Sequence, residues 1–97
     1  MEDAIQDVVR ARRFVLVDEA GKTRAVLGVL ADGSPMLGLL DAAGKSRVGL
    51  GVLADGGPAL RLQNAAGKPR VLLCLFPDGN PALSLQDAAG KTLWQAP

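Results

Sequence analysis

The pair Gly-Lys occurs at Gly21-Lys22, Gly44-Lys45, Gly67-Lys68 and Gly90-Lys91, an unbroken spacing of 23 residues. Each pair closes a five-residue phrase, DEAGK, DAAGK, NAAGK and DAAGK, opening at Asp18, Asp41, Asn64 and Asp87. A second phrase, Asp-Gly with Pro two residues later, recurs at Gly33, Gly56 and Gly79. Repetition at a fixed period means that one supersecondary unit is built again and again. The units are 12–34, 35–57 and 58–80, followed by a partial unit 81–97.

Two turn signals per unit separate two apolar runs. Asp-x-x-Gly reads as a type I turn with Asp first and Gly fourth, the Gly left-handed and forming a G1 bulge. Asp at the first position accepts hydrogen bonds from the amides ahead of it. The turn-defining residues are therefore Asp18, Gly21, Asp41, Gly44, Asn64, Gly67, Asp87 and Gly90, with Gly33, Gly56 and Gly79 in the second turn. Pro35, Pro58 and Pro81 follow that second turn, where a strand begins without needing a ladder donor. The runs between turns are short, rich in Val and Leu, and too densely punctuated for helices. The expected fold is all-β: an antiparallel meander of 23-residue hairpin repeats with about eight strands over 14–97. Met1–Arg13 differs, with Ile5, Val8 and Val9 at helical spacing, and is expected to form a short amphipathic helix.

Alternation sorts the strand residues into faces. One face of the outgoing strands carries Leu27 and Val29, Leu50 and Val52, then Leu73 and Leu75. Leu39, Leu62 and Leu85 share one face of the returning strands. These nine residues are the candidate interface. Two registers relate the two strand types. The turn chemistry favours Asp41 opposite Lys45, which carried inward sets Leu37 and Leu39 across from Gly49 and Arg47. A two-residue loop would instead bring Leu37 and Leu39 alongside Leu50 and Val48. A slip of one residue inverts the faces.

In either register apolar residues occupy both sides of the sheet, so cover must come from elsewhere. A closed up-and-down barrel, a β-solenoid and a homo-oligomer all supply it. The favoured arrangement is a trimer whose sheets face a common axis, with Met1–Arg13 bundled at one end. Gly28, Gly49 and Gly51, inside strands, read as packing sites for bulky Leu side chains.

The chemistry of the chain is sparse. There is no histidine, which removes Ser-His and Cys-His nucleophiles and imidazole metal sites. Cys74, the single cysteine, lies in the apolar run VLLCLF and reads as a small hydrophobe. Each turn supplies one acid, which suits capping rather than calcium. No metal, cofactor or catalytic residue is assigned. The net charge of +1 creates no field for nucleic acid, and the basic run Arg10, Arg12, Arg13 reads as a solvated helix end. Lys22, Lys45, Lys68 and Lys91 align with Arg24, Arg47 and Arg70 into a basic ladder beside the Asp ladder. Cross-strand ion pairing is the first expectation there, and an anionic glycan docked along that edge the alternative. With no apolar leader and no run of eighteen apolar residues, membrane insertion is not expected and an intracellular location is the default.

The pattern L-x-D-x-x-G-K-x-R-x-x-L-G-V followed by D-G-x-P-x-L-x-L is carried here by LVDEAGKTRAVLGVLADGSPML and LLDAAGKSRVGLGVLADGGPAL. It resembles the tandem units of bacterial β-hairpin repeat proteins to which no activity is assigned, over nearly everything after Arg13. The Asp-x-x-Gly turns are also similar to the tyrosine–aspartate repeats of bacterial toxin shells and to the hairpin repeats of choline-binding wall proteins. Both of those depend on aromatic residues. With no tyrosine and one tryptophan, this chain departs from them, and the resemblance implies no binding residue. The expected function is non-enzymatic: a structural, self-assembling module that forms a homo-oligomer, a trimeric prism or a fibre-like assembly, through its Leu/Val face. A binding module, with an apolar ligand inside a small barrel or a glycan on the Lys/Arg edge, is the alternative.

Overall fold

The structure, a computed structural model, describes residues 5–97. Eight strands follow one another along the chain: β1 (Arg13–Val17), β2 (Thr23–Val29), β3 (Pro35–Leu40), β4 (Ser46–Val52), β5 (Pro58–Gln63), β6 (Pro69–Leu75), β7 (Pro81–Gln86) and β8 (Thr92–Ala96). They form one antiparallel sheet in sequence order, each strand paired only with its chain neighbours. The sheet stays open, with β1 and β8 at opposite edges, so the barrel expectation is not met and the sheet encloses no lumen. Nor does the chain coil as a solenoid. The helix expected over Met1–Arg13 is absent from residues 5–12, which are irregular, and residues 1–4 lie outside the described part. A helix that short is marginal without packing, and Ile5, Val8 and Val9 find none, being 94%, 69% and 60% exposed.

All seven connections share one backbone. At Asp41–Lys45 the Asp41 N–H donates to the Lys45 carbonyl and the Gly44 N–H to the Asp41 carbonyl, both at 2.9 Å. At Leu53–Gly57 the same two bonds join Leu53 N–H to Gly57 and Gly56 N–H to Leu53, both at 2.8 Å. The turns therefore differ only in where the cap sits. In the Lys-bearing turns the first residue caps: Asp41 Oδ1 accepts from the N–H groups of Ala43 and Lys45, each at 3.0 Å. Asn64 Oδ1 does the same for Ala66 and Lys68, which is why Asn replaces Asp without loss of the turn. In the Asp-Gly turns the third residue caps: Asp55 Oδ1 accepts from Gly57 N–H at 2.9 Å. The fourth position needs a positive φ, +83° at Gly44 and +87° at Gly56, where L side chains are disfavoured.

The register unites the two expected alternatives. Asp41 does pair with Lys45, as the turn chemistry requires. One step inward the register shifts between Leu39 and Leu40, so that Leu39 opposes Val48 and Leu37 opposes Leu50. Leu37 and Leu39 therefore do not face Gly49 and Arg47, as the unshifted turn would have it. The shift is a β-bulge, and the residue left out of the pairing is Arg47. Arg24, Arg70 and Leu93 occupy the corresponding bulges of the other Lys-turn hairpins. No shift occurs at the Asp-Gly ends. The odd period follows from this. Side chains alternate with period two, so two such turns alone would repeat at an even interval, and the bulged residue makes the unit 23.

The bulged arginines join one hairpin to the next. Arg24 Nε donates to the Leu40 carbonyl at 3.3 Å and Arg47 Nε to the Gln63 carbonyl at 2.8 Å, each at the end of the following strand. The guanidinium also meets its own turn, Arg24 with Asp18 at 3.7 Å and Arg47 with Asp41 at 3.5 Å. Arg70, facing Asn64, has no such carboxylate. It donates through Nη2 to the Ala88 carbonyl, and its Nε is buried without a partner.

The strand glycines do not receive leucines. A Cβ on Gly51 would lie 2.7 Å from the Pro35 carbonyl oxygen and 3.1 Å from the Met36 sulfur, so the close neighbour is the adjacent strand of the same sheet. Gly49 meets only Met36, at 3.9 Å, and Gly28 meets Arg12 and Arg13.

Candidate self-association face

The bulge gathers three apolar rows on one side of the sheet. The middle row runs across all eight strands as Phe14, Leu27, Leu37, Leu50, Leu60, Leu73, Leu83 and Ala96. Beside it, toward the Lys turns, lie Leu16, Ala25, Leu39, Val48, Leu62, Val71, Leu85 and Trp94. Toward the Asp-Gly turns lie Val29 with Pro35, Val52 with Pro58, and Leu75 with Pro81. No member of any row is polar.

All nine candidate interface residues fall on this face. Val29, Leu27, Leu39, Leu50, Val52, Leu62, Leu73 and Leu75 are exposed and Leu85 is half-buried. Sequence reasoning left out Leu37, Leu60 and Leu83, which complete the leucine row, and Phe14 and Trp94, which extend the face to both edge strands. Period two alone sets Leu37, Leu60 and Leu83 on the side of Leu39, Leu62 and Leu85; the bulge brings that side together with Leu27, Leu50 and Leu73.

This face has no cover among the described residues. Among the described residues no hydrophobic side chain is buried, and only Ser34 and Gly57 are buried at all. Leu27, Leu50 and Leu73, in mid-sheet, are 49%, 46% and 44% exposed. The radius of gyration is 16.4 Å, against about 13 Å for a compact domain of this length. A shallow trough of about 320 Å³ between Leu50, Leu60, Leu73 and Leu75 breaks the surface.

The opposite side changes character along the sheet. Its central row runs Val15, Val26, Gly38, Gly49, then Arg61, Leu72, Ser84 and Gln95. It is apolar and glycine-rich at first and from β5 onward is polar except at Leu72. Cys74 lies on this side opposite Ala59, half-buried and unpaired.

Apart from Arg61 in mid-sheet, the charged groups of the repeat sit at the two turn-bearing margins. Among the described residues, the ion pairs are those of Arg24 and Arg47 with Asp18 and Asp41, so the expected cross-strand pairing is made by these arginines and not by the lysines. The Asp41 carboxyl is held below the usual carboxylate range, chiefly by the Lys45 N–H, with Ala43 and Arg47 contributing. Asp32 is likewise lowered, chiefly by the N–H of Ser34. Both shifts express capping. Among the described residues no group of three His, Cys, Asp or Glu side chains is placed to hold a metal, and no helix is long and apolar enough to cross a membrane. Compared with models of known protein families and with curated proteins, the chain matches none.

Proposed function

We propose that this chain is a non-enzymatic structural module that assembles with copies of itself through the Leu/Val face, as a trimeric prism. One observation carries the proposal: the apolar face is continuous across eight strands, has no polar member and has no cover among the described residues. Monomeric proteins rarely expose apolar patches beyond a few hundred Å². The rows occupy about 35 Å by 20 Å at ordinary strand spacings, about 700 Å² of flat area per copy and close to the roughly 800 Å² that each partner gives a standard interface.

Strand length favours three copies. Six extended residues span about 20 Å, and the centre of an equilateral triangle of that side lies about 6 Å from each side, near half the ~10 Å packing distance of sheets. A square of the same side would leave its centre about 10 Å from each sheet, too far for leucines to fill. The middle row, which would point at the axis, is leucine from Leu27 through Leu83.

Sedimentation equilibrium at micromolar concentration tests this. The unmodified chain should sediment as three 10.0 kDa copies. Leu27→Asp and Leu50→Asp, each placing a charge at the axis, should abolish the trimer. A folded monomer for the unmodified chain, or trimers that survive both substitutions, would overturn the assignment.

A further inference from the structure

The prism rests on the Leu/Val face; a separate feature, the charge at the two turn-bearing margins of the sheet, says how its corners close. One margin collects the four Lys turns with their bulges. It holds Lys22, Lys45, Lys68 and Lys91 and three arginines against Asp18, Glu19, Asp41 and Asp87, seven basic residues to four acids, a net charge of +3. The other margin collects the three Asp-Gly turns, which carry Asp32, Asp55 and Asp78 and no basic residue of their own; Arg12 and Arg13, at the start of β1, lie at its first end, beside Gly28 and Val29. The four lysines and three aspartates are all exposed, and none forms an ion pair with a described residue. The two margins lie on opposite sides of the sheet, a strand length apart.

In a meander the turns alternate between margins. Each Asp-Gly turn therefore stands one strand spacing, about 4.8 Å, from the level of the Lys turns before and after it. Asp55 joins β4 to β5, at a level midway between the Lys45 turn, which joins β3 to β4, and the Lys68 turn, which joins β5 to β6. Asp32 and Asp78 are placed likewise between their neighbouring Lys turns. Each margin thus has a tooth where the other has a gap, and the teeth carry opposite charge.

We infer that the two margins are the halves of one joint: the Lys margin of each copy meets the Asp-Gly margin of the next copy at every corner of the prism. Threefold rotation about an axis perpendicular to the strands forces this pairing, because each side of the triangle ends on one margin where the next begins on the other. Such a head-to-tail contact closes into a ring. The three aspartates interleave with the four lysines at each corner. Complementary charge at the rim selects the partner and the register, while the apolar face supplies most of the affinity.

Because all copies are identical, the inference is tested within one chain. Lys45→Glu/Lys68→Glu turns each corner acid against acid and should weaken trimer formation at least tenfold in sedimentation equilibrium, given that rim pairs contribute roughly 0.2–1 kcal/mol each. Raising the salt concentration should weaken the unmodified trimer and strengthen this variant. Adding Asp55→Lys to the pair should recover affinity although it removes a turn cap. Circular dichroism confirms that each variant retains its sheet. Recovery together with the opposed salt responses supports the joint. A trimer indifferent to the double substitution, or a triple variant weaker than the double one, overturns it while leaving the apolar face intact. An unmodified monomer overturns both. If the double variant trimerises normally but loses a heparin retention that the unmodified chain shows, the lysines serve an anionic glycan and the joint is wrong.

Discussion

Arg47 performs three tasks that a sequence motif does not separate. Its backbone is the extra residue of the bulge, its Nε reaches the Gln63 carbonyl of the next hairpin, and its Nη1 meets the Asp41 carboxylate. Arg24 repeats all three with Leu40 and Asp18. Arg70 keeps the bulge and loses the carboxylate, because residue 64 is Asn and accepts only from the turn amides. Asn64→Asp should therefore restore the missing pair and let Arg70 take the orientation of its two counterparts. The guanidinium is partly exposed in both existing pairs, so the gain should be about 0.2–1 kcal/mol, read as a rise in denaturant midpoint at unchanged slope. An unchanged midpoint would mean that the arginine acts through the carbonyl contact alone. A fall would mean that it depends on the neutral amide.

Among the elements, the turns and strands were the legible part. Asp41 at the first turn position and Gly44 at the fourth specify a backbone geometry with almost no reference to the rest of the chain, and the structure adopts it. The faces were harder to read, because a turn sets the pairing only for the residues next to it. Turn chemistry alone put Leu39 opposite Arg47; the bulge put it opposite Val48. The signal was present in the period, since an odd repeat cannot keep Leu27, Leu50 and Leu73 on one side unless one residue per unit falls out of alternation. The N-terminal stretch failed for the opposite reason: Ile5, Val8 and Val9 have helical spacing, but with nothing to pack against, spacing alone does not hold a helix. Gly51 misled similarly, being crowded by Pro35 and Met36 of the neighbouring strand rather than by a leucine from another layer.

The bulge yields a prediction that distinguishes backbone from side chain. Arg47→Ala keeps the residue count and removes one donor and one exposed ion pair, so it should cost about 1–2 kcal/mol. Deleting residue 47 removes no more chemistry but makes the second unit even. Every residue from Val48 to the end must then sit on the wrong side relative to β1–β3, or β3 and β4 must pair without matching leucines. The deletion should abolish the cooperative thermal transition, whereas Arg47→Ala should only lower its midpoint. If the two variants melt alike, the bulge does not set the alternation.

At the scale of the whole molecule, the described residues form one sheet with no buried hydrophobic side chain. Burial of a leucine from water contributes about 1.5–3 kcal/mol, and under the proposed assembly that contribution comes from another copy. Folding and association should then be one event, with a melting temperature that rises with protein concentration. Differential scanning calorimetry between about 5 and 200 µM, where mass action at the trimer requires a clear upward shift, checks this. A melting temperature independent of concentration would show that a single chain holds its own sheet.

Keeping the outline of the sheet constant from unit to unit has a consequence for size. Each further 23-residue insertion would add two strands, or about 9–10 Å, while the width of the ribbon stayed the same. The gene for such a chain would act as a ruler, setting the length of the object in whole steps and leaving its girth alone.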